Sequence, residues 1–272
     1  FRPTCRCVRA RGAGLFLRSF SRRARVLSPR ARAAQTYHVC DQFIKPATAS
    51  RACCFTNLVI GDDGEPIGGD LLLGKATCFI SHWWGYRFLD LIAIVREHEN
   101  ALKAAGEPPA AYFLDMLLLN QHRLKREAED ESKREKLTDA LRDCLKACGR
   151  VVLCCAAGPS GVGWESPAPL GRIWCLYEIY VAITEDDVHI TMQLGPSDAI
   201  QFRQAVNKDG LARVERALAA VNARDASATM PEDLATILGE IDNTLGMERS
   251  NALVREGLLK EYERIATSAG MR

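Results

Sequence analysis

The chain has 272 residues, 47% of them apolar and 26% charged, an ordinary balance for a globular protein and enough for one large domain with appendages. The net charge of +2 hides an asymmetry. Residues 1–40 hold ten arginines and no acid, which leaves 26 basic against 34 acidic side chains over residues 41–272, or about −8. An acidic body argues against general nucleic-acid binding, and no window approaches 18 uncharged apolar residues, so no membrane-spanning helix is predicted.

Residues 1–35, Arg-rich and carrying Ser19, Ser21 and Ser28, have the composition of an organelle transit segment or of a disordered tail. Residues 36–75 read as an N-terminal extension: a short helix, an extended segment to residue 60, then an acidic, glycine-rich surface loop over Gly61–Gly74. The stretch Gly69-Asp-Leu-Leu-Leu-Gly74-Lys75-Ala76 approaches the phosphate-binding pattern GxxxxGK[ST]. Ala76 lacks the hydroxyl that would hold magnesium, and a strand follows where that loop should open a helix, so the match is rejected.

From Ala76 strands and helices alternate. Ala76–Ser81 is a short strand, and Phe88–Leu102 has helical apolar spacing, stopped by Gly106 and Pro108–Pro109. Ala111–Leu119 reads as a buried strand and Arg123–Cys148 as a helix whose charge-dense first part is a solvated face. Val151–Ala157 is a strand, Gly158–Leu170 a loop, Arg172–Thr184 a helix, Val188–Leu194 a strand and Ser197–Val206 a helix. Leu218–Ala226 reads as a short strand, with helix as the alternative. Pro231 opens a helix to about Leu245, with Glu232 and Asp233 in its first turn, and Glu248–Thr267 is the last. The domain plan is therefore an α/β body over 76–226, followed by C-terminal helices over 227–272.

Continuous apolar strands alternating with helices predict a parallel sheet with helices on both faces, and such sheets bind ligands at the carboxyl ends of their strands. The residues there are Ser81-His82-Trp83-Trp84-Gly85, Asn120-Gln121-His122 and the loop at Gly158. Eleven cysteines without a CxxC pair offer no zinc knuckle; several lie in apolar runs as small buried hydrophobes, which suits a reducing compartment. His82, His122 and Asp115 come from different strand ends, so no metal site is expected. Asp115, inside an apolar run, needs a partner.

Gly171-Arg-Ile-Trp-Cys-Leu-Tyr-Glu-Ile-Tyr-Val-Ala182 is the most informative segment. It sets one carboxylate, Glu178, among Ile173, Trp174, Leu176, Tyr177, Ile179 and Val181. Burying it ionised and unpaired would cost several kcal/mol. It must reach water, pair with a cation such as Arg172 or Arg87, or lie under a ligand.

Phe79-Ile-Ser81, Phe113-Leu-Asp115, Val151-Val-Leu153 and Trp174-Cys-Leu-Tyr-Glu178, in this order, resemble a TIR domain, in which the first strand ends in an F-[IV]-S motif and a late helix opens with W-C-L-x-E-L. Ile179 stands for the final leucine. Tyr112–Gln121 is similar to the W-I-D-x-I-C-I-N-Q stretch of fungal heterokaryon-incompatibility domains. The resemblance covers about residues 76–195, and departs from the family at His82-Trp83-Trp84-Gly85 and after the second strand. The whole chain is also similar to algal and protist proteins that pair Ile44-Lys-Pro-Ala-Thr48 with Phe79-Ile-Ser-His-x-Trp-Gly85, a likeness that implies no function.

The TIR resemblance implies a flavodoxin-like five-stranded parallel sheet and cleavage of NAD as substrate, with no cofactor. Glu178 would be the catalytic carboxylate. Ser81, His82, Trp83, Trp84, Asn120 and Trp174 would contribute to substrate binding. Each has a plainer role too: Ser81 as a helix cap, a tryptophan as core packing, Asn120 as a loop ligand, Cys175 as packing. The alternative function is a non-catalytic module that self-associates in signalling, and a nucleoside 2-deoxyribosyltransferase-like activity is a more distant enzymatic option. The expected compartment is the cytoplasm unless the Arg-rich start directs the chain to an organelle.

Overall fold

The computed structural model describes residues 13–15, 33–58, 73–123, 131–156 and 163–268. The expectations for a transit segment or tail and for most of the Gly61–Gly74 loop lie outside them. The chain forms two compact units: the residues up to Ile80 with Trp84–Gly149, and Ser81–Trp83 with Arg150–Arg272.

In the first unit, β1 (Ala13–Leu15) comes from within the Arg-rich segment. Helix α1 (Thr36–Val39) runs through a π turn (Cys40–Ile44) into α2 (Lys45–Thr48). The expected short helix thus runs on to Thr48, whereas Phe55–Leu58, within the stretch expected to be extended, is a 3-10 turn. The Thr48 hydroxyl returns to the Ile44 carbonyl at 2.7 Å, an i−4 bond that helical geometry allows. Strand β2 (Leu73–Lys75) pairs antiparallel with β1, and β3 (Cys78–Ser81) follows directly. No helix follows Lys75, in keeping with the rejected phosphate loop.

Helix α3 (Phe88–Ala104) buries Leu91, Ile92, Ile94, Val95, His98 and Leu102 on one face. It ends at Gly106, whose φ of +73° lets the Glu107 amide reach back to the Leu102 carbonyl. The predicted strand over Ala111–Leu119 shrinks to β4 (Tyr112–Phe113), parallel to β3. Asp115 breaks it. Its Oδ1 accepts the Met116 amide at 2.7 Å and its carbonyl accepts the Leu119 amide, closing the helical turn α4 (Asp115–Leu118). Helix α5 (Glu131–Cys148) completes the unit.

The second unit begins with β5 (Arg150–Cys155), whose residues Val151–Cys155 are wholly inaccessible, as a strand covered on both faces requires. Helix α6 (Ile173–Thr184) follows, and β6 (His189–Leu194) pairs parallel with β5 from Arg150↔His189 to Cys155↔Leu194. Then come α7 (Pro196–Asp209), α8 (Ala212–Ala219), α9 (Pro231–Leu245) and α10 (Met247–Ser268). The strand considered over Leu218–Ala226 does not form. Val214 and Leu218 bury one helical face of α8, and Ala223–Asp225 is a 3-10 turn. Helix α10 packs on α6, α8, α9 and β6.

The chain is thus mixed α/β, with parallel strands alternating with helices as in a flavodoxin-like fold. Among the described residues no helix is long and apolar enough to cross a membrane. Cys40, Cys53, Cys78, Cys144, Cys148, Cys154, Cys155 and Cys175 are free thiols, whereas Cys54 is disulfide-bonded, a departure from the fully reduced set expected.

Candidate functional site

Ser81, His82 and Trp83 leave the carboxyl end of β3 and belong to the second unit, with Glu178. Ser81 has no accessible surface, and its Oγ makes no hydrogen bond among the described residues. His82 is also buried, and its carbonyl accepts the thiol of Cys175 at 3.4 Å. That contact holds the turn after β3 against the first turn of α6. Glu178 lies three residues beyond Cys175 and four beyond Trp174, so it shares their side of the helix one turn further on. It is only 9% exposed.

The start of α6 is fixed from two directions. The Ile173 amide donates to the Ser227 carbonyl, and the Ser227 amide to the Gly171 carbonyl. Arg172 spends its guanidinium on Ser227 Oγ at 2.9 Å and Thr229 Oγ1 at 2.8 Å, so it is not the counter-ion of Glu178. Arg87, the other cation considered, is committed to Asp90 at 2.7 and 2.8 Å, and this bond raises the guanidinium above its ordinary value. From the other side, Trp174 Nε1 donates to Asp233 Oδ2 at 2.9 Å and Tyr177 donates its hydroxyl to Glu240 Oε1 at 2.5 Å. Two carboxylates seven residues apart on α9 therefore hold two aromatic donors three apart on α6.

Trp84 and Asn120 fold in the first unit. Trp84 Nε1 donates to Asp115 Oδ2 at 2.8 Å, which supplies the partner that Asp115 needed inside its apolar run. Asn120 donates to the Ala52 carbonyl at 2.6 Å and accepts the His122 amide at 3.0 Å, so both ends of its carboxamide hold the loop together. Gln121 Nε2 reaches the Asp115 carbonyl at 3.0 Å, and His122 Nε2 lies 2.8 Å from Thr48 Oγ1. Among the described residues, no group of three or more His, Cys, Asp or Glu side chains could hold a metal ion.

A second polar cluster, not foreseen from the sequence, lies after β5. Asp198 on α7 accepts the Gly163 amide at 2.9 Å, and Tyr262 on α10 donates its hydroxyl to the Trp164 carbonyl at 2.5 Å. Arg213 of α8, paired with Glu165, stands 5.0 Å over the Trp164 ring, while Phe202 meets that ring edge-on. Burial pushes the Tyr262 hydroxyl and the Cys155 thiol well above their ordinary values, with the Asp198 charge adding to both. The available signal was Trp164 itself, a lone large aromatic in a Gly/Pro loop.

No protein-family model, curated protein or solved structure matches this chain.

Proposed function

We propose that the protein is a TIR-like NAD glycohydrolase that acts through Glu178. The supporting observation is the Cys175–His82 contact, which joins the helix bearing Glu178 to the turn bearing Ser81 within one unit. In this reading the bond between nicotinamide and ribose C1′ breaks, its electron pair leaves with neutral nicotinamide, and positive charge develops on the ribosyl carbon and ring oxygen. The Glu178 carboxylate stabilises that charge and holds a ribose hydroxyl. Water then adds to C1′ and releases a proton, giving ADP-ribose. Ser81 supplies a hydroxyl for a ribose or phosphate oxygen, and Trp83 an indole face for a base. Trp174 acts through its bond to Asp233, orienting the helix. Self-association through the same α/β fold and a cytoplasmic location accompany the proposal.

The test is nicotinamide release by the full chain at high protein concentration, beside Glu178→Ala and Glu178→Gln. Wild type should turn over and both variants lose at least about a hundredfold. No turnover by folded, concentrated wild type would overturn the enzymatic reading in favour of a self-associating module. Equal turnover by the variants would remove Glu178 from the mechanism.

A further inference from the structure

In the first unit Thr36–Val39, the π turn Cys40–Ile44 and Lys45–Thr48 form one continuous helix that is fastened at both ends. At its start the Thr36 and Tyr37 amides donate to the Tyr86 and Trp84 carbonyls at 2.8 and 3.1 Å, in the loop after β3. At its far end the Thr48 hydroxyl hydrogen goes to the Ile44 carbonyl, so His122 Nε2 is the donor in the 2.8 Å bond to Thr48 Oγ1. Asn120 adds its bond to the Ala52 carbonyl at 2.6 Å, just beyond the helix. Ala52 itself has φ +42°, a region that residues with a β-carbon rarely adopt. Between the fastenings the π turn packs on α4, which follows β4. The helix thus reaches from the loop after β3 to the turns after β4, at the end of a parallel pair where such sheets take ligands.

The faces of this helix are inverted relative to an ordinary amphipathic one. Its buried positions are Thr36, Cys40, Ile44 and Thr48, four residues apart, and of these four Ile44 alone is a large aliphatic. In an α-helix that spacing drifts round the axis by about 40° per step. The wider π turn takes up the drift and keeps the stripe on one side. Tyr37 and Phe43, the largest apolar side chains of the helix, are 39% and 51% exposed. Little apolar area is therefore uncovered when the helix leaves. The closed position depends on the polar fastenings, and relief at Ala52 favours release. We infer that Thr36–Thr48 is a strap over the carboxyl ends of β3 and β4, which opens as a unit while the sheet beneath it stays folded and so gates that end of the sheet. The inference does not rest on the NAD reading, because every residue in it belongs to the first unit and Glu178 to the second.

Two thiols read the opening. Cys40 is inaccessible under the closed strap, and Cys78 of β3, also buried, reports unfolding of the sheet. The full chain, as wild type and as Asn120→Ala/His122→Ala, is treated with iodoacetamide at pH 8 over a urea series below the unfolding transition, and each cysteine is followed by mass spectrometry. In wild type Cys40 should label at least about tenfold faster than Cys78, with a rate nearly flat in urea where the Cys78 rate climbs steeply. The variant should raise the Cys40 rate about tenfold or more and keep its flat urea response. The lost bonds lie at the end of the helix away from Cys40, so this acceleration marks opening of the whole strap. Equal rates and equal urea slopes for Cys40 and Cys78 would overturn the inference, since the helix would then open only with the sheet. A Cys40 rate unchanged in the folded variant would also overturn it, as fraying from the helix start alone. Should the double variant fail to fold, Thr48→Val, which removes only the hydroxyl that His122 holds, carries the same comparison.

Discussion

Gly257 lies in the middle of α10 and faces Ile183 of α6. A β-carbon there would stand 2.5 Å from Ile183 Cδ1 and 3.0 Å from Cγ1, where ordinary carbon contacts begin near 3.5 Å. Replacing a mid-helix glycine by alanine normally stabilises by about 1 kcal/mol. Forcing a methyl into a packed helix contact costs about 1–3 kcal/mol. Gly257→Ala should therefore lose the helix-propensity gain and end between neutral and about 2 kcal/mol destabilising, according to how far the half-buried Ile183 turns its Cδ1 away. The mechanism predicts its own reversal. Ile183→Val deletes Cδ1, the atom in conflict, so in that background Gly257→Ala should be neutral or stabilising, a coupling of about 1–2 kcal/mol between the two sites. Urea unfolding of the four chains, followed by tryptophan fluorescence, measures it. If alanine stabilises by about 1 kcal/mol in both backgrounds, the α6–α10 contact is looser than described and the reasoning fails.

Tyr262→Phe should cost about 1–3 kcal/mol, because it strands the Trp164 carbonyl in a buried loop; altered Trp164 fluorescence and a lower urea midpoint would show it. Trp84→Phe should cost about 1–3 kcal/mol by leaving one Asp115 oxygen without its indole donor, and an unchanged midpoint would show that water takes over the bond. Burial pushes the Cys40 thiol from near 9 up to about 11, and raises Cys154 and Cys155 further. The folded chain therefore keeps these protons where the unfolded chain releases them. Stability from this source is complete below about pH 9 and is lost as pH rises through the folded values, and Cys40→Ala should flatten the part of the decline between about 9 and 11. For the same reason iodoacetamide at pH 8 should leave Cys154 and Cys155 unmodified in the folded protein and label them in urea, as mass spectrometry would report.

What was legible in the sequence was governed by local pattern. Val151–Cys155 could be read as a doubly covered strand because nothing interrupts its apolar run, and α9 begins at Pro231 as its proline and two acids predict. The strand ending at Ser81 and the helix bearing Glu178 were placed the same way. The misreadings occur where a side chain bonds its own backbone. Asp115 curls an apolar stretch into a helical turn. Strand β1 was hidden because an arginine-rich composition says nothing of three residues that pair with β2. Side-chain partners were the least legible layer. Nothing near Trp174 in the chain indicates that Asp233 will take its indole proton, or that Ser227 and Thr229 will take the guanidinium of Arg172 in place of Glu178.

Those distant partners also set an order of events during synthesis. Trp174 finds its acceptor 59 residues later, Tyr177 63 later, Met192 69 later, and the Trp164 carbonyl its donor 98 later. Until the α9 and α10 segments have left the ribosome, the helix carrying Glu178 and strand β6 lack these partners. Partial chains of that kind are the ones that aggregate or need a chaperone. The second unit can therefore close only once α10 has been synthesised and settles over β6, α6 and the Trp164 loop.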